Sequence, residues 1–300
     1  MPRHTAQYRG RFAPSPTGKL HLGSLIAALA SYLDARSHHG KWLVRMEDLD
    51  PPREEPGAAH AILNSLQQHG LNWDEVVLWQ SQNHARYAAI LLTLEQQGQL
   101  FNCDCTRALL GPNGACRGRC QQHAHPPETA VATRVRVPGG CRVEFNDQLQ
   151  GNQHCQLGRD LPDFVLKRKD GLYAYQLAVV ADDAAQGITH VVRGCDLLDS
   201  TARQIYLQQL LGYAVPHYCH LPLITNAQGQ KFSKQYHAPA LNPDQAAQNL
   251  RKALRFLHQP EPPAAGLESP AQILDYATSH WNLLSVPATA AIAAQADDYS

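Results

Sequence analysis

The chain has no excess of charge of either sign. Lys+Arg and Asp+Glu each number 26 in 300 residues, a formal net charge of zero with His neutral. That argues against a histone-like or tail-type nucleic-acid binder, which is basic overall. It leaves room for a local basic face, because net charge says nothing about distribution. No apolar run approaches the roughly 20 residues needed to cross a bilayer. The longest candidate, Leu25 to Leu33, is interrupted by Ser31 and Tyr32. Behind Met1-Pro2-Arg3-His4 there is no apolar signal core, so no secretion signal is expected and the protein is expected in the cytoplasm. Neither a G-x-x-x-x-G-K-[ST] phosphate loop nor a G-x-G-x-x-G fingerprint occurs, and no internal repeat or low-complexity tract is present.

What is there is a globular composition, 44% hydrophobic, sufficient for a core. The length allows one large domain or two ordinary ones. Eight cysteines without a signal peptide are expected as thiols or metal ligands rather than disulfides. Four of them, Cys103, Cys105, Cys116 and Cys120, cluster. Cys141, Cys155, Cys195 and Cys219 are scattered and read as small buried hydrophobes.

Arg11-Phe12-Ala13 reads as a strand entering a Pro14-Ser15-Pro16-Thr17-Gly18 loop. Leu22, Leu25, Ile26, Leu29 and Leu33 then follow helical spacing, with Gly40 just past the helix end. Lys41 to Met46 is a second strand leading into Glu47-Asp48-Leu49-Asp50, and two more helices end near Gly70 and Gly98. Alternating strands and helices imply parallel βαβ units, whose ligands sit at the carboxyl ends of the strands. Residues 101–125 lack periodicity, Val131 to Val137 alternates, and Lys169-Asp170-Gly171 is a hairpin signal. The spacing predicts a helix over Gln176 to Gln186, a strand over Ile188 to Arg193, a helix over Thr201 to Leu211 and a strand over Tyr218 to Ile224. The expected division is 1–100, a first catalytic half; 101–175, an inserted subdomain; 176–240, a second half; and 241–300, a helical C-terminal region punctuated by prolines.

Two motifs carry chemistry. His21-Leu22-Gly23-Ser24 opens the first helix, where free N–H groups and the positive dipole end suit a phosphate. Gly23 would let a nucleotide approach the backbone, and His21 could donate to a phosphate as its charge grows. Lys231-Phe232-Ser233-Lys234-Gln235 follows the last strand, and two lysines on a loop can track a polyphosphate. Each motif alone is weak.

Together they resemble the signature pair of class I aminoacyl-tRNA synthetases. The stretches Arg11 to Ser24, Arg45 to Asp50 and Val192 to Leu197 resemble the glutamyl-tRNA synthetase catalytic domain. Standard members continue beyond the second motif with a helical anticodon-binding domain, for which residues 236–300 are too few, and they usually carry Arg where Gln235 stands. Both departures resemble the truncated glutamyl-Q tRNA(Asp) synthetase family. The resemblance implies a Rossmann-like parallel sheet and activation of L-glutamate with ATP. It implies transfer of the glutamyl group to queuosine at the wobble position of tRNA(Asp). Arg11, Glu47, Tyr175 and Arg193 match the family's glutamate-binding positions, with the Phe12, Ala13, Pro14 and Ser15 backbone. Glu47 suits the ammonium and Arg193 or Arg11 the carboxylates, without a division between the two arginines. His21, Gly23, Ser24, Lys231, Ser233 and Lys234 would serve ATP, with Mg²⁺ assisting on pyrophosphate. A monomer is expected. Three rival readings are a small glutamyl-tRNA synthetase charging tRNA(Glu), an inactive RNA-binding paralogue, and another nucleotidyltransferase of the same superfold.

Two close cysteine pairs can close a tetrahedral zinc shell, the alternative being free buried thiols. The family has zinc here and can use Tyr as third ligand where this chain has Cys116. His123 and His125 are reserve ligands. A closed set of four predicts a structural ion. Arg117, Arg119, Arg134, Arg136, Lys167, Arg168 and Lys169 are candidate phosphate contacts for RNA.

Overall fold

The protein is described from a computed structural model covering residues 7–116, 118–121, 125–126, 128–226, 239–263 and 268–294. In chain order the elements are β1 (Arg9–Phe12), α1 (Leu22–Ser37), β2 (Lys41–Met46), α2 (Ala58–Gln68), β3 (Leu78–Trp79) and α3 (His84–Gln96). Then come β4 (Leu100–Cys103), β5 (Ala132–Val135), β6 (Arg142–Asp147), β7 (Gly151–Gln156), β8 (Phe164–Lys167) and α4 (Tyr175–Ala185). The chain continues with β9 (His190–Gly194), α5 (Leu198–Leu211), β10 (His217–Leu221), β11 (Leu223–Thr225), α6 (Ala246–Phe256), α7 (Pro270–Ser279) and β12 (Ala291–Ala293).

Strands β3, β2 and β1 pair in parallel, as do β9, β10 and β6, and β7 closes the edge antiparallel to β6. The Thr189 amide donates to the Arg9 carbonyl at 3.0 Å, which sets β1 beside β9. The strand order therefore reverses between β1 and β9, the crevice where open α/β sheets bind ligands. Helix α1 is buried nearly all round, as expected of a helix packed between a sheet and other helices. It lies between the sheet and α6 and α7. Gly40 is needed for space, since a Cβ there would stand 2.5 Å from the Tyr8 carbonyl oxygen.

The period-two alternation of strands assigns residues to two cores. Trp42, Val44, Met46, Val192, Cys219 and Leu221 join α1 in one. Leu43, Val191 and Tyr218 join α3, α4 and α5 in the other. Arg11, Arg45, Arg193 and His220 share the second face, so a set of buried polar groups is delivered to one side of the sheet.

Three findings differ from the pattern reading. The run Tyr218 to Ile224 divides at Pro222, which has no N–H for the ladder, into β10 and β11. The C-terminal stretch contributes not only α6 and α7 but the short strand β12, parallel to β11. Within 101–175, β4, β5 and β8 form a separate antiparallel sheet, whereas the hairpin β6–β7, unread in the sequence, joins the main sheet beside β10. No helix among the described residues is long and apolar enough to cross a membrane.

Candidate active site

A cleft of about 780 Å³ opens at the carboxyl ends of β1, β2 and β9. Arg11, Phe12, Ala13, Pro14, Ser15, His21, Gly23, Ser24, Glu47, Tyr175 and Arg193 all line it. Of the expected site residues, Lys231, Ser233 and Lys234, with Gln235, lie outside the described residues. The chain enters that segment from β11, whose Ile224 lines the cleft. It returns at Ala240, which bridges to His21, and the Leu241 amide donates to the Leu20 carbonyl at 2.9 Å. Both ends of the segment thus abut the N-terminus of α1.

His21 is the N-cap of α1, and its Nδ1 accepts from the Ser24 amide at 3.3 Å. Its Nε2 is 3.1 Å from Ser24 Oγ. A Cβ on Gly23 would press on this ring at 3.1 Å and on Ile224 at 3.2 Å. The glycine therefore makes room for the histidine at the helix start, where uncapped N–H groups can meet a phosphate.

The sheet side of the cleft is an ionic cluster. Asp183 on α4 accepts from Arg11 Nε at 3.1 Å and from Arg45 Nη1 at 2.7 Å. Burial would raise its carboxyl, but the two guanidinium groups outweigh burial and hold it below the usual range. Arg45 is wholly buried and lies 3.6 Å from Glu47 Oε1 through Nη2. The Glu47 carboxylate is one-tenth exposed and accepts no hydrogen bond among the described residues. Burial pushes its pKa up, helped by Asp183 and opposed by Arg45, Arg11 and Arg193. A carboxylate in this state is set to receive a cation.

Arg193 has different company. Its Nε donates to His220 Nε2 at 3.0 Å, its Nη1 to Tyr175 Oη at 3.3 Å and its Nη2 to Thr201 Oγ1 at 2.8 Å. Burial raises the Tyr175 hydroxyl, and Glu47 raises it further. Asp147, Asp183, Arg45 and His220 belong to this constellation and escaped the sequence reading. The Arg45 to Asp50 motif contained one of them, while the others are brought close only by the fold.

The four clustered cysteines are buried, with Sγ atoms all within 4.8 Å of one another. A tetrahedral zinc ion with Zn–S bonds of about 2.3 Å sets sulfurs roughly 3.8 Å apart, so the donor set fits. Burial pushes the Cys116 thiol up and the Cys120 thiol up to about 11. A cation would reverse that, since thiolates are the ligands. His125 stands nearby, 3.5 Å from Asp104, while His123 lies outside the described residues.

Among the candidate RNA contacts, Arg134 is excluded. It is buried, ion-paired to Asp163 and hydrogen-bonded to the Asp163 carbonyl at 2.8 Å, which uses its guanidinium within the fold. Arg168 and Lys169 sit on the exposed hairpin, Arg168 also reaching Asp50 at 3.3 Å on the cleft rim. Arg117 lies outside the described residues.

Residues 7–250 match the family model for tRNA synthetases class I (E and Q), catalytic domain. Similar curated proteins are the Glutamyl-Q tRNA(Asp) synthetase of Neisseria meningitidis serogroup C, 53% identical over 93% of this chain and 97% of that protein, and that of Pseudomonas fluorescens, 51% identical over 96% of each. The chain belongs to the glutamyl-Q tRNA(Asp) synthetase family, within the class I synthetases. A crystal structure of the glutamate-tRNA synthetase of Elizabethkingia anophelis matches with a TM-score of 0.81 at 24% identity. It covers 98% of this chain and 69% of that one. At that identity the match speaks for the fold alone.

Proposed function

We propose that the protein activates L-glutamate with ATP and transfers the glutamyl group to queuosine at the wobble position of tRNA(Asp). The observation that carries this reading is one cleft lined by a nearly buried carboxylate, Glu47, which accepts no hydrogen bond among the described residues and has only the Arg45 guanidinium at 3.6 Å, and by Arg193, whose hydrogen-bond partners are all neutral. That pairing suits an ammonium and a carboxylate on one small molecule. The names of the relatives at 51–53% identity support the acceptor.

Arg11 shares Asp183 with Arg45, so its charge is partly compensated, whereas Arg193 has no ion-pair partner among the described residues. Arg193 is therefore the principal carboxylate anchor and Arg11 the secondary one. A glutamate carboxylate oxygen attacks the ATP α-phosphorus. The bond from that phosphorus to the bridging oxygen breaks, and pyrophosphate leaves. His21, the α1 N-terminus and the lysines Lys231 and Lys234 stabilise phosphate charge, with alignment supplying much of the rate. Mg²⁺, when bound, neutralises the pyrophosphate oxygens. A hydroxyl of the queuosine cyclopentenediol then attacks the adenylate carbonyl; an ester forms and AMP leaves. Cys103, Cys105, Cys116 and Cys120 hold one zinc ion as a brace, because four protein ligands leave no open position for catalysis. The reading takes the enzyme as a monomer working in the cytoplasm.

The test incubates the protein with ATP, radiolabelled glutamate and tRNA(Asp) with or without queuosine. Label retained only on the queuosine-bearing tRNA is the expected result. Label on tRNA(Glu), or on neither, would overturn it.

A further inference from the structure

Outside the cleft lining lie a stack of Tyr8, His38, His190 and His217 at the opposite end of the sheet, an open hollow beside Arg203, and the pair Asp147–His220 behind Arg193. Only the third is tied by hydrogen bonds to a cleft residue.

We propose that Asp147 and His220 are positioning residues for Arg193: Asp147 selects the His220 tautomer whose Nε2 accepts from Arg193, and this holds the guanidinium toward the substrate carboxylate. The inference deepens the function proposed above and rests on Arg193 binding glutamate.

A guanidinium can only donate, so His220 Nε2, at 3.0 Å from Arg193 Nε, is an acceptor. The neutral ring then carries its proton on Nδ1, which lies 2.6 Å from Asp147 Oδ2. Both side chains are fully buried, and neither lines the cleft. The other carboxylate oxygen, Oδ1, accepts the amides of Leu149, Gln150 and His220 at 3.1, 2.9 and 3.1 Å. The carboxylate is therefore held by two amides of the β6–β7 turn and one of β10. With Nε on His220 and Nη2 on Thr201 and the Leu197 carbonyl, Arg193 keeps a second Nη1 N–H beside the Tyr175 hydroxyl. Those two donors make a fork suited to one carboxylate.

Protonating His220 would place an N–H against the Arg193 N–H and expel the guanidinium. Burial lowers the His220 pKa, and the charges of Arg193 and Arg11, facing it from β9 and β1, act the same way against Asp147 on β6. The ring is thus kept neutral while the site works.

The arrangement makes Asp147→Asn informative. Three backbone amides demand the amide oxygen at Oδ1, so the Asn nitrogen must face His220 Nδ1 as a donor. The ring is then driven to the Nε2–H tautomer, which opposes Arg193. Glutamate-dependent ATP–pyrophosphate exchange, which needs no tRNA, reads the consequence. Asp147→Asn should raise the KM for glutamate about 10- to 100-fold, while the KM for ATP changes less than about twofold. In wild type the glutamate KM should rise on the acid side of the ordinary histidine range. Glu47 contributes its own acid-side loss. His220→Gln keeps an acceptor that does not titrate, so the difference between its pH profile and that of wild type belongs to His220. Nitrogen-15 NMR of the wild-type protein should show His220 as the Nδ1–H tautomer. An Nε2–H tautomer there would overturn the proposal whatever the activity, and needs no variant to fold. An unchanged glutamate KM in folded Asp147→Asn, or coincident pH profiles, would also overturn it. Wild type that exchanges pyrophosphate with no added glutamate dependence would instead sink the function reading, leaving the tautomer to judge the pair.

Discussion

The charged cluster of the cleft and the cysteine cluster are both buried sites, but they are held in opposite ways. Around the cleft, Arg11, Arg45, Arg193 and His220 stand on strands of one sheet and are braced by Asp183 on α4 and by Asp147 at a turn. The supports are regular elements packed on two large cores. The cysteine cluster has a core of Phe101 and the four cysteines themselves, with Leu110 alongside. Its chain has short strands and turns, too little apolar surface to order a loop-rich segment. A polar site on a sheet can be preformed by protein groups alone, whereas the proposed zinc ion would complete this one.

Removing the proposed zinc ion should therefore break the cysteine segment and spare the cleft. Cys103→Ser, or strong chelation, should lose one zinc per chain by metal analysis. Hydrogen exchange should show loss of protection over residues 101–121, because structural zinc contributes about 10 kcal/mol or more to small sites. Amides of α1 and β9 should keep theirs. If protection is lost equally in both regions, the two sites are one cooperative unit.

The cleft should break on its own acid. Asp183→Ala leaves two buried guanidinium groups facing each other and should cost about 3–5 kcal/mol by denaturant unfolding. Zinc content should be unchanged. A loss below about 1 kcal/mol would mean that water, not Asp183, solvates the arginines.

A smaller effect tests the empty acceptor. Glu47→Gln keeps the volume and removes the charge, so kcat/KM for glutamate should fall about 10- to 100-fold with stability held or improved. Stability should not fall, because the Glu47 pKa is raised in spite of the nearby arginines, so burial costs its ionised form more than they return.

The smallest effect lies at the far end of the same sheet. His190 stacks on Tyr8 at 3.9 Å and on His217 at 4.8 Å, and its pKa is lowered to about 4 by burial and then by the His217 charge. In the unfolded chain it protonates near 6.5. Between these values the unfolded state binds more protons, so stability declines as pH falls from about 6.5 toward about 4. His190→Phe should flatten that decline in urea midpoints. An unaltered slope would assign it to His69 and His220, which are lowered in the same direction.

Local patterns made much of this legible. Lys41 to Met46 is a strand with the bounds its composition suggests, and α1 follows its apolar stripe. The stretch Arg11 to Ser24 lies along the cleft as a strand, a loop and a helix start. Pro222 carried the signal for the break between β10 and β11 but sat within a run that read as one strand, whereas Asp147 and Gly151, at the β6–β7 turn, lay in a stretch to which the pattern assigned no element. Strand β12, Ala291-Ile292-Ala293, has little β preference of its own and exists because β11 offers an edge.

By itself the sequence determined the order of strands and helices, the two phosphate-side motifs and the grouping of the cysteines, because these depend on neighbours a few residues apart. Tertiary structure alone decided which acid compensates which arginine. Arg11 and Asp183 are 172 positions apart, Asp147 and His220 73, and no periodicity links them. Their pairing follows from which strands lie adjacent and which face each residue takes, and burial then makes those few charges count, since water no longer screens them.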